Sequence, residues 1–412
     1  MSTAAPQKET PVSTTPTPPP GTDLLSEEHQ RLATQVRDFA DEVVAPASYE
    51  YDTKRELPMG IIAQMGELGL FGLPIPREYD GQGKDYMSLC VAVEQLARVD
   101  QSIAVTLEAG LGLGAMPILT FGTTAQKERY LPALARGQEL AAFGLTEAEA
   151  GSDAGATRTS ARLEDGRWVI DGTKQFITNS GTPITSLVTV TAVTGQRQRA
   201  DGRTTPELTS IIVPTDTPGF TALPSYDKMG WHTSDTHPLL FEDVRVPEEN
   251  LLGERGRGFA NFLAILDQGR VALAALCVGA AQGCLEQAVD YAQRRVVFDK
   301  PLGDNQHIAF TIARMQARVA GARALMHEAA RRLDAGMPFS QEASLAKLVS
   351  SEAAVANARD ACQIWGGNGF LNENVVARHY RDSRVLEVGE GSTEVQLAII
   401  AKNLGFSKAL VG

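Results

Sequence analysis

The chain has 412 residues, 43% of them apolar and 21% charged, with a formal net charge of -12 at neutral pH. That length supports two or three domains around substantial cores, and the acidic balance excludes a sequence-independent grip on nucleic acid, which needs a basic face. Cys90, Cys277, Cys284 and Cys362 stand in no metal-ligand spacing, and the first residues lack the basic start and apolar run of a signal peptide; a soluble, cytoplasmic protein with inert core thiols is expected.

Residues 1–21 are rich in Pro, Ser and Thr and are expected to form a disordered tail, since they cannot bury enough apolar surface to offset their ordering entropy. Ser26 then reads as an N-cap, with Glu27 and Glu28 in the first turn and Leu32, Val36, Phe39 and Val43 on one helical face. Helical patterning continues to about Glu139, which gives a helical domain over 22–141. Cys277 and Cys284, seven apart in an Ala-rich helical stretch, are expected to share a buried face.

From 142 to 248 the texture is short β-rich runs between turn signals, with strands over 186–193, 208–214 and 239–246 and a hairpin turn at Asp165-Gly166. Long helices return over 259–294, 306–335 and 341–365, inside a C-terminal helical bundle domain spanning 249–412. The apolar run over 271–285 is too short and too rich in Gly and Ala for a membrane span. The fold class is α+β: N-terminal helices, a segregated central β-sheet domain, and a C-terminal four-helix bundle.

Several clusters carry possible chemistry. Gly253 to Gly258 precedes a helix, but lacks the strand–turn–helix context of a dinucleotide fingerprint and reads as a connecting loop. The Gly-rich run from Trp365 to Gly369 is a helix stop or a ligand cradle. The loop over 144–153 packs hydroxyls, carboxylates and glycines at the junction of helices and sheet, where ligand sites tend to lie. Glu390 stands between Gly389 and Gly391. His232 and His237 share a loop with Asp235 without the full ligand set of a zinc site, so no metal is expected, and no nucleophile elbow is present. The residues alone reach an α+β protein with a ligand site.

Together these segments, from Ser26 to the C-terminus, resemble the FAD-dependent acyl-CoA dehydrogenase family. In Leu145-Thr146-Glu147-Ala148-Glu149-Ala150-Gly151-Ser152-Asp153 the resemblance implies that Leu145 and Thr146 meet the flavin, Thr146 at its pyrimidine side. Ser152 is then near the FAD pyrophosphate and the pantetheine of the acyl-CoA substrate. Phe176-Ile177-Thr178-Asn179 resembles the second flavin strand, with Phe176 against the ring and the Thr178 hydroxyl at N5. Asp267-Gln268-Gly269-Arg270 resembles the helix motif that meets the CoA portion of the substrate. Arg295 and Gln306 resemble the residues that hold the far end of a neighbouring subunit's FAD, and Gln363, Gly366 and Gly367 the matching surface. The implied assembly is a homo-oligomer, a dimer of dimers.

Gly389-Glu390-Gly391-Ser392-Thr393-Glu394 resembles the catalytic loop, with Glu390 as base, Gly391 beside the substrate, and Ser392 and Glu394 on the cofactor side. The implied reaction removes the α-proton to Glu390 and the β-hydrogen as hydride to flavin N5, giving a trans-2-enoyl-CoA. Burial should raise the pKa of Glu390 and make it a stronger base. Some relatives carry the base inside the Asp-x-x-Arg helix; Gln268 and Gly269 here leave Glu390. Phe176, Ala148, Asp299 and Gly389 depart from the commonest pattern, and Gly389 implies a pocket that admits branched acyl groups. An electron-transferring flavoprotein is the implied electron acceptor. A flavin-dependent oxidase, a dehydrogenase of acyl groups on a carrier protein, and a non-catalytic scaffold are the alternatives; the last should lack Glu390, Arg295 or Thr178, and all three are present.

Overall fold

The computed structural model describes residues 25–198, 202 and 204–406; the expected tail over 1–21 lies outside them. Ser26 caps α1 (Glu27–Phe39), its hydroxyl accepting from the His29 N–H at 3.2 Å. Val36 is fully buried on the anticipated face, with Leu32, Phe39 and Val43 packed against the same core. The helix widens into a π turn over Ala40–Val44 before α2 (Ala45–Lys54). There follow α3 (Met59–Glu67), α4 (Tyr86–Ala97), α5 (Gln101–Glu108), α6 (Met116–Phe121) and α7 (Thr124–Ala135). Every residue of α4 and α5 is buried, so these two helices form the centre of the N-terminal layer.

The sheet comprises β1 (Leu140–Gly144), β2 (Ser160–Glu164), β3 (Arg167–Thr178), β4 (Thr185–Gln198), β5 (Thr204–Pro214), β6 (Phe220–Ala222), β7 (Thr236–Pro247) and β8 (Leu251–Leu252). Its order is β6–β7–β3–β2–β4–β5–β8, with β1 parallel to β4. Asp165 and Gly166 have φ of 48° and 71°, the two positive values that a two-residue type I′ hairpin requires. Because side chains alternate across a strand, the sheet serves two cores. Trp168, Ile170, Val188, Val190, Phe241 and Val244 cluster within the β unit, whereas Leu187, Ile212 and Leu252 join the core of the helices.

The C-terminal part holds α8 (Gly258–Arg294), a small arm of β9 (Val296–Val297) and β10 (Lys300–Pro301), then α9 (Gln306–Asp334), α10 (Ser340–Trp365), α11 (Val375–Ser383) and α12 (Thr393–Asn403). Two helical stretches, 101–121 and α8, are long and apolar enough to cross a bilayer, which corrects the length argument made from 271–285 alone. Their most apolar windows are 78% and 72% buried inside the protein, the signature of core helices. Cys277 and Cys284 are fully buried on α8 as expected. This helix also passes close to α4: a Cβ on Gly279 or Gly283 would stand 2.2 Å from Glu94 O or 2.0 Å from Arg98 O, so a larger residue at either position must push the helices apart.

Candidate active site

The two segments compared with flavin-binding strands lie side by side. The Gln175 N–H donates to Thr146 O at 2.8 Å, which sets Leu145 and Thr146 beside the end of β3. The loop after β1 is held by an ion pair that the sequence reading did not single out. Lys174 Nζ lies 2.7 Å from Glu147 Oε1 and donates to Leu145 O at 3.1 Å, with both side chains almost wholly buried (0% and 4% exposed). Glu147 also accepts from the Arg158 and Thr159 N–H groups at 2.7 and 3.1 Å. Burial pushes Lys174 down to about 8, with Glu147 opposing the fall. On Glu147 burial acts upward, but Lys174 and these N–H donors overcome it and hold the carboxyl below its ordinary value.

A bulge between Lys174 and Ile177 presents Phe176 outward. Its φ is 61°, its ring is 63% exposed, and the Tyr226 ring lies 5.2 Å away at 32°. Thr146 and Thr178 are half-buried, and neither hydroxyl has a partner among the described residues. An exposed aromatic ring on the same strand end as hydroxyls without partners fits the face and polar edge of a flavin. Ser152 is exposed at the lip of the same loop.

The loop over 389–394 turns on left-handed backbone. Glu390 has φ 52° and Gly391 φ 91°, and the carbonyls of this turn are met by three side chains. Lys347 Nζ donates to Gly391 O at 2.8 Å. Gln396 Nε2 donates to Gly391 O at 2.9 Å and to Glu390 O at 3.3 Å. Arg270 Nε donates to Glu390 O at 3.5 Å, while its guanidinium pairs with Asp267 at 2.5 Å. Arg270, expected at the CoA portion of the substrate, is 4% exposed and engages the loop that carries Glu390. With the carbonyls tied down on one side, the Glu390 side chain is directed towards α8. A Cβ on Gly269 would stand 2.7 Å from Glu390 Oε2, so Gly269 leaves the room the carboxylate occupies. The residue as a whole is only partly covered, yet Oε2 is sealed from solvent with no partner. Burial raises the Glu390 carboxyl above its ordinary value, partly offset by the neighbouring Glu108 carboxyl and by the charges of Lys347 and Arg270.

Gly391→Ala should be costly here, because φ 91° is unfavourable for any side chain and the new Cβ would meet Gln396 Nε2 at 2.7 Å. The expected loss is about 1–3 kcal/mol of stability with a fall in kcat; thermal unfolding and steady-state rates check it. Ser392 is half-buried at the N-cap of α12. Exposed Glu394 follows in the first turn, its carboxyl held below the usual range by the Ser392 hydroxyl.

The remaining predicted positions gather at another end of the bundle. Arg295 caps α8, Gln306 opens α9, and Gln363, Gly366 and Gly367 close α10; all five are exposed. The Tyr291 and Trp365 rings stack at 4.6 Å, and Asn368 Nδ2 donates to Tyr291 OH at 3.1 Å, so the arm and the glycine turn sit together. Asp299 follows Phe298 in the two-residue turn of the arm, where both have positive φ (61° and 48°). Asp tolerates that conformation, so the turn forms without the more usual glycine. Phe298 and Phe370 are 98% and 90% exposed on this end. His237 pairs with Asp235 at 2.7 Å, and no metal-binding group occurs among the described residues.

Three family models match the chain in succession: the N-terminal, middle and C-terminal domains of acyl-CoA dehydrogenase, over 26–138, 142–244 and 256–405. The chain belongs to the acyl-CoA dehydrogenase family. It is 44% identical over 380 residues to a probable acyl-CoA dehydrogenase of Bacillus subtilis, covering 92% of this chain and 98% of that one. The butyryl-CoA dehydrogenase structure from Megasphaera elsdenii superposes with a TM-score of 0.88 at 40% identity, over 92% of this chain and 98% of that one. A glutaryl-CoA dehydrogenase from Mycobacterium smegmatis, solved in complex with FADH2, gives 0.89 at 30% identity, over 95% and 98%. This acyl-CoA dehydrogenase is thus an oxidoreductase whose cofactor is FAD, and the geometry around Phe176, Thr146 and Thr178 fits that cofactor.

Proposed function

We propose that this acyl-CoA dehydrogenase converts a short-chain acyl-CoA to its trans-2-enoyl-CoA, with Glu390 as the base that takes the α-proton. The observation that carries this reading is the Glu390 carboxylate, buried on a turn whose two carbonyls are held by Arg270, Lys347 and Gln396. A thioester α-proton is weakly acidic, so a carboxylate in water is a poor base for it. Desolvation raises the basicity of Glu390 and brings it closer to the task. Bound FAD supplies the acceptor for the β-hydrogen, which leaves as a hydride. Glu390 takes the α-proton as the electron pair of that C–H bond moves into the new double bond. The Glu390 N–H, turned away from its tethered carbonyl, is assigned to the thioester carbonyl, where it stabilises developing enolate charge. The Thr146 and Thr178 hydroxyls are assigned to the flavin edge, and Ser152 to the region where pantetheine and pyrophosphate pass.

Arg295, Gln306, Gln363, Gly366 and Gly367 are assigned to the distal end of FAD across a subunit contact, in a homotetramer arranged as a dimer of dimers. Support comes from the exposed Phe298 and Phe370, large rings beside these polar groups and without intramolecular cover. An electron-transferring flavoprotein is the proposed acceptor. The short-chain assignment draws on the butyryl-CoA dehydrogenase likeness. Rates across acyl-CoAs of increasing length, measured anaerobically with an artificial acceptor, test it. A maximum at four to six carbons, an expectation of the order of magnitude that transfer of about 0.8 kcal/mol per methylene makes measurable, supports it; a maximum at long chains overturns it.

Gly389 stands open: a Cβ there meets only Val385 O, at 3.5 Å. Gly389→Tyr is therefore expected to fold and to lower kcat/KM for branched substrates about 10-fold relative to straight ones, the loss of roughly 1.4 kcal/mol of pocket complementarity. Unchanged relative kcat/KM contradicts the assignment of Gly389 to the pocket.

A further inference from the structure

Glu108 ends α5, where the chain enters a π turn over Ala109–Ala115, a distortion that often accompanies functional positions. Its side chain is fully buried, and neither carboxylate oxygen has a donor among the described residues. The groups facing it are Tyr86 and Cys90 on α4 and Glu390 on the catalytic loop. Tyr86 cannot serve as the donor, because its hydroxyl hydrogen is given to Gln268 O at 2.9 Å. The Cys90 thiol is buried and its pKa is pushed well above its usual value, by burial first, so it stays neutral. No cation pairs with Glu108 among the described residues. Around Glu390, Lys347 and Arg270 supply positive charge, but from the side of the tethered carbonyls, and Arg270 is shared with Asp267; the buried Cys277 thiol is neutral.

Two buried carboxyl groups that face one another without a cation between them, among the described residues, resist ionising together. Lys347 and Arg270 favour the charged form of Glu390 and no such charge reaches Glu108, so Glu108 is the carboxyl that keeps the proton, with the Glu390 carboxylate facing it as acceptor. We propose that Glu108 is a positioning residue that stays a neutral carboxylic acid and donates its hydrogen to Glu390, keeping the catalytic carboxylate ionised and aimed. This inference rests on the reading of Glu390 as the base. Burial first, and then the negative charge of Glu390, hold the Glu108 carboxyl well above its ordinary value, which agrees with the assignment. Gly112 makes room for the arrangement, since a Cβ there would stand 3.3 Å from Glu108 Oε1.

The test compares wild type, Glu108→Gln and Glu108→Leu as holoenzymes, each shown by its visible spectrum to retain FAD. The acid limb of kcat/KM should move to higher pH in Glu108→Leu by about one unit, a tenfold change in proton concentration, because the ionised base has lost a donor. In Glu108→Gln the amide still donates, and the limb should stay within a few tenths of wild type. Infrared spectra at neutral pH should show the C=O stretch of a protonated buried carboxyl in wild type and its loss in both variants. Coincident acid limbs in all three proteins, an equal shift in both variants, or no protonated-carboxyl band in wild type overturns the proposal. Failure of the underlying reading looks different: Glu390→Gln would then keep its activity.

Discussion

Glu390→Gln is expected to lower kcat by about 10⁴-fold, the upper end of what a positioned general base contributes. Gln matches the size of Glu and keeps the turn, so the Arg270, Lys347 and Gln396 contacts to the carbonyls remain and FAD should stay bound. The sign of the pH effect follows from the raised carboxyl. A base works only when ionised, so wild-type kcat/KM falls as pH drops through that elevated value. Stability runs the other way: between its unfolded and folded pKa values the native carboxyl binds more protons than the unfolded one, so its burial costs stability as pH rises. Glu390→Gln should therefore unfold at a Tm no lower than wild type at neutral pH while losing turnover. A variant that loses both activity and Tm would point to a structural role instead.

Glu147→Ala is expected to destabilise the protein by about 3–5 kcal/mol and to weaken FAD retention. It removes one partner of a buried ion pair and leaves the charge of Lys174 uncompensated. It also frees the Arg158 and Thr159 N–H groups, so the loop bearing Thr146 and Ser152 loses its anchor. Lys174 already has a depressed value of about 8 against an ordinary 10.5, and without Glu147 it falls further. The unfolded chain then keeps a proton that the folded core refuses, so the variant's stability should rise with pH up to about 10.5. Denaturant unfolding at several pH values, with FAD release followed by fluorescence, checks this. A loss under 1 kcal/mol, independent of pH, would contradict it.

The sequence conveyed the local parts of this molecule well. Ser26 as an N-cap, the Asp165-Gly166 hairpin and the strand and helix limits over 186–365 follow from short-range rules, and they recur within a few residues in β4, β5, β7 and α8 to α10. The candidate site was legible only as a set of segments, through the combined resemblance of Thr146, Phe176, Thr178 and Glu390 to one family. The groups that support those segments were not legible. Lys174 sits in a strand that reads as ordinary β sequence, and Glu108 sits in an apolar helix far from Glu390. Lys347 and Gln396 lie on separate helices and meet only at the Gly391 carbonyl. Such pairings depend on the tertiary packing of distant elements, for which periodicity carries no signal. The length of α8 was misjudged for the opposite reason: its composition resembles a span, and only its packing against α4, α9 and α10 shows why it is apolar.

The central claim is that Glu390 and bound FAD together dehydrogenate an acyl-CoA. Adding butyryl-CoA to the oxygen-free holoenzyme tests it most directly, with the visible flavin band and the enoyl-CoA product followed together. Loss of the band in wild type with one crotonyl-CoA formed per flavin reduced, and an unchanged band in Glu390→Gln, is the predicted result. A wild-type band that persists with every acyl-CoA supplied, or one that bleaches equally fast in Glu390→Gln, would contradict it.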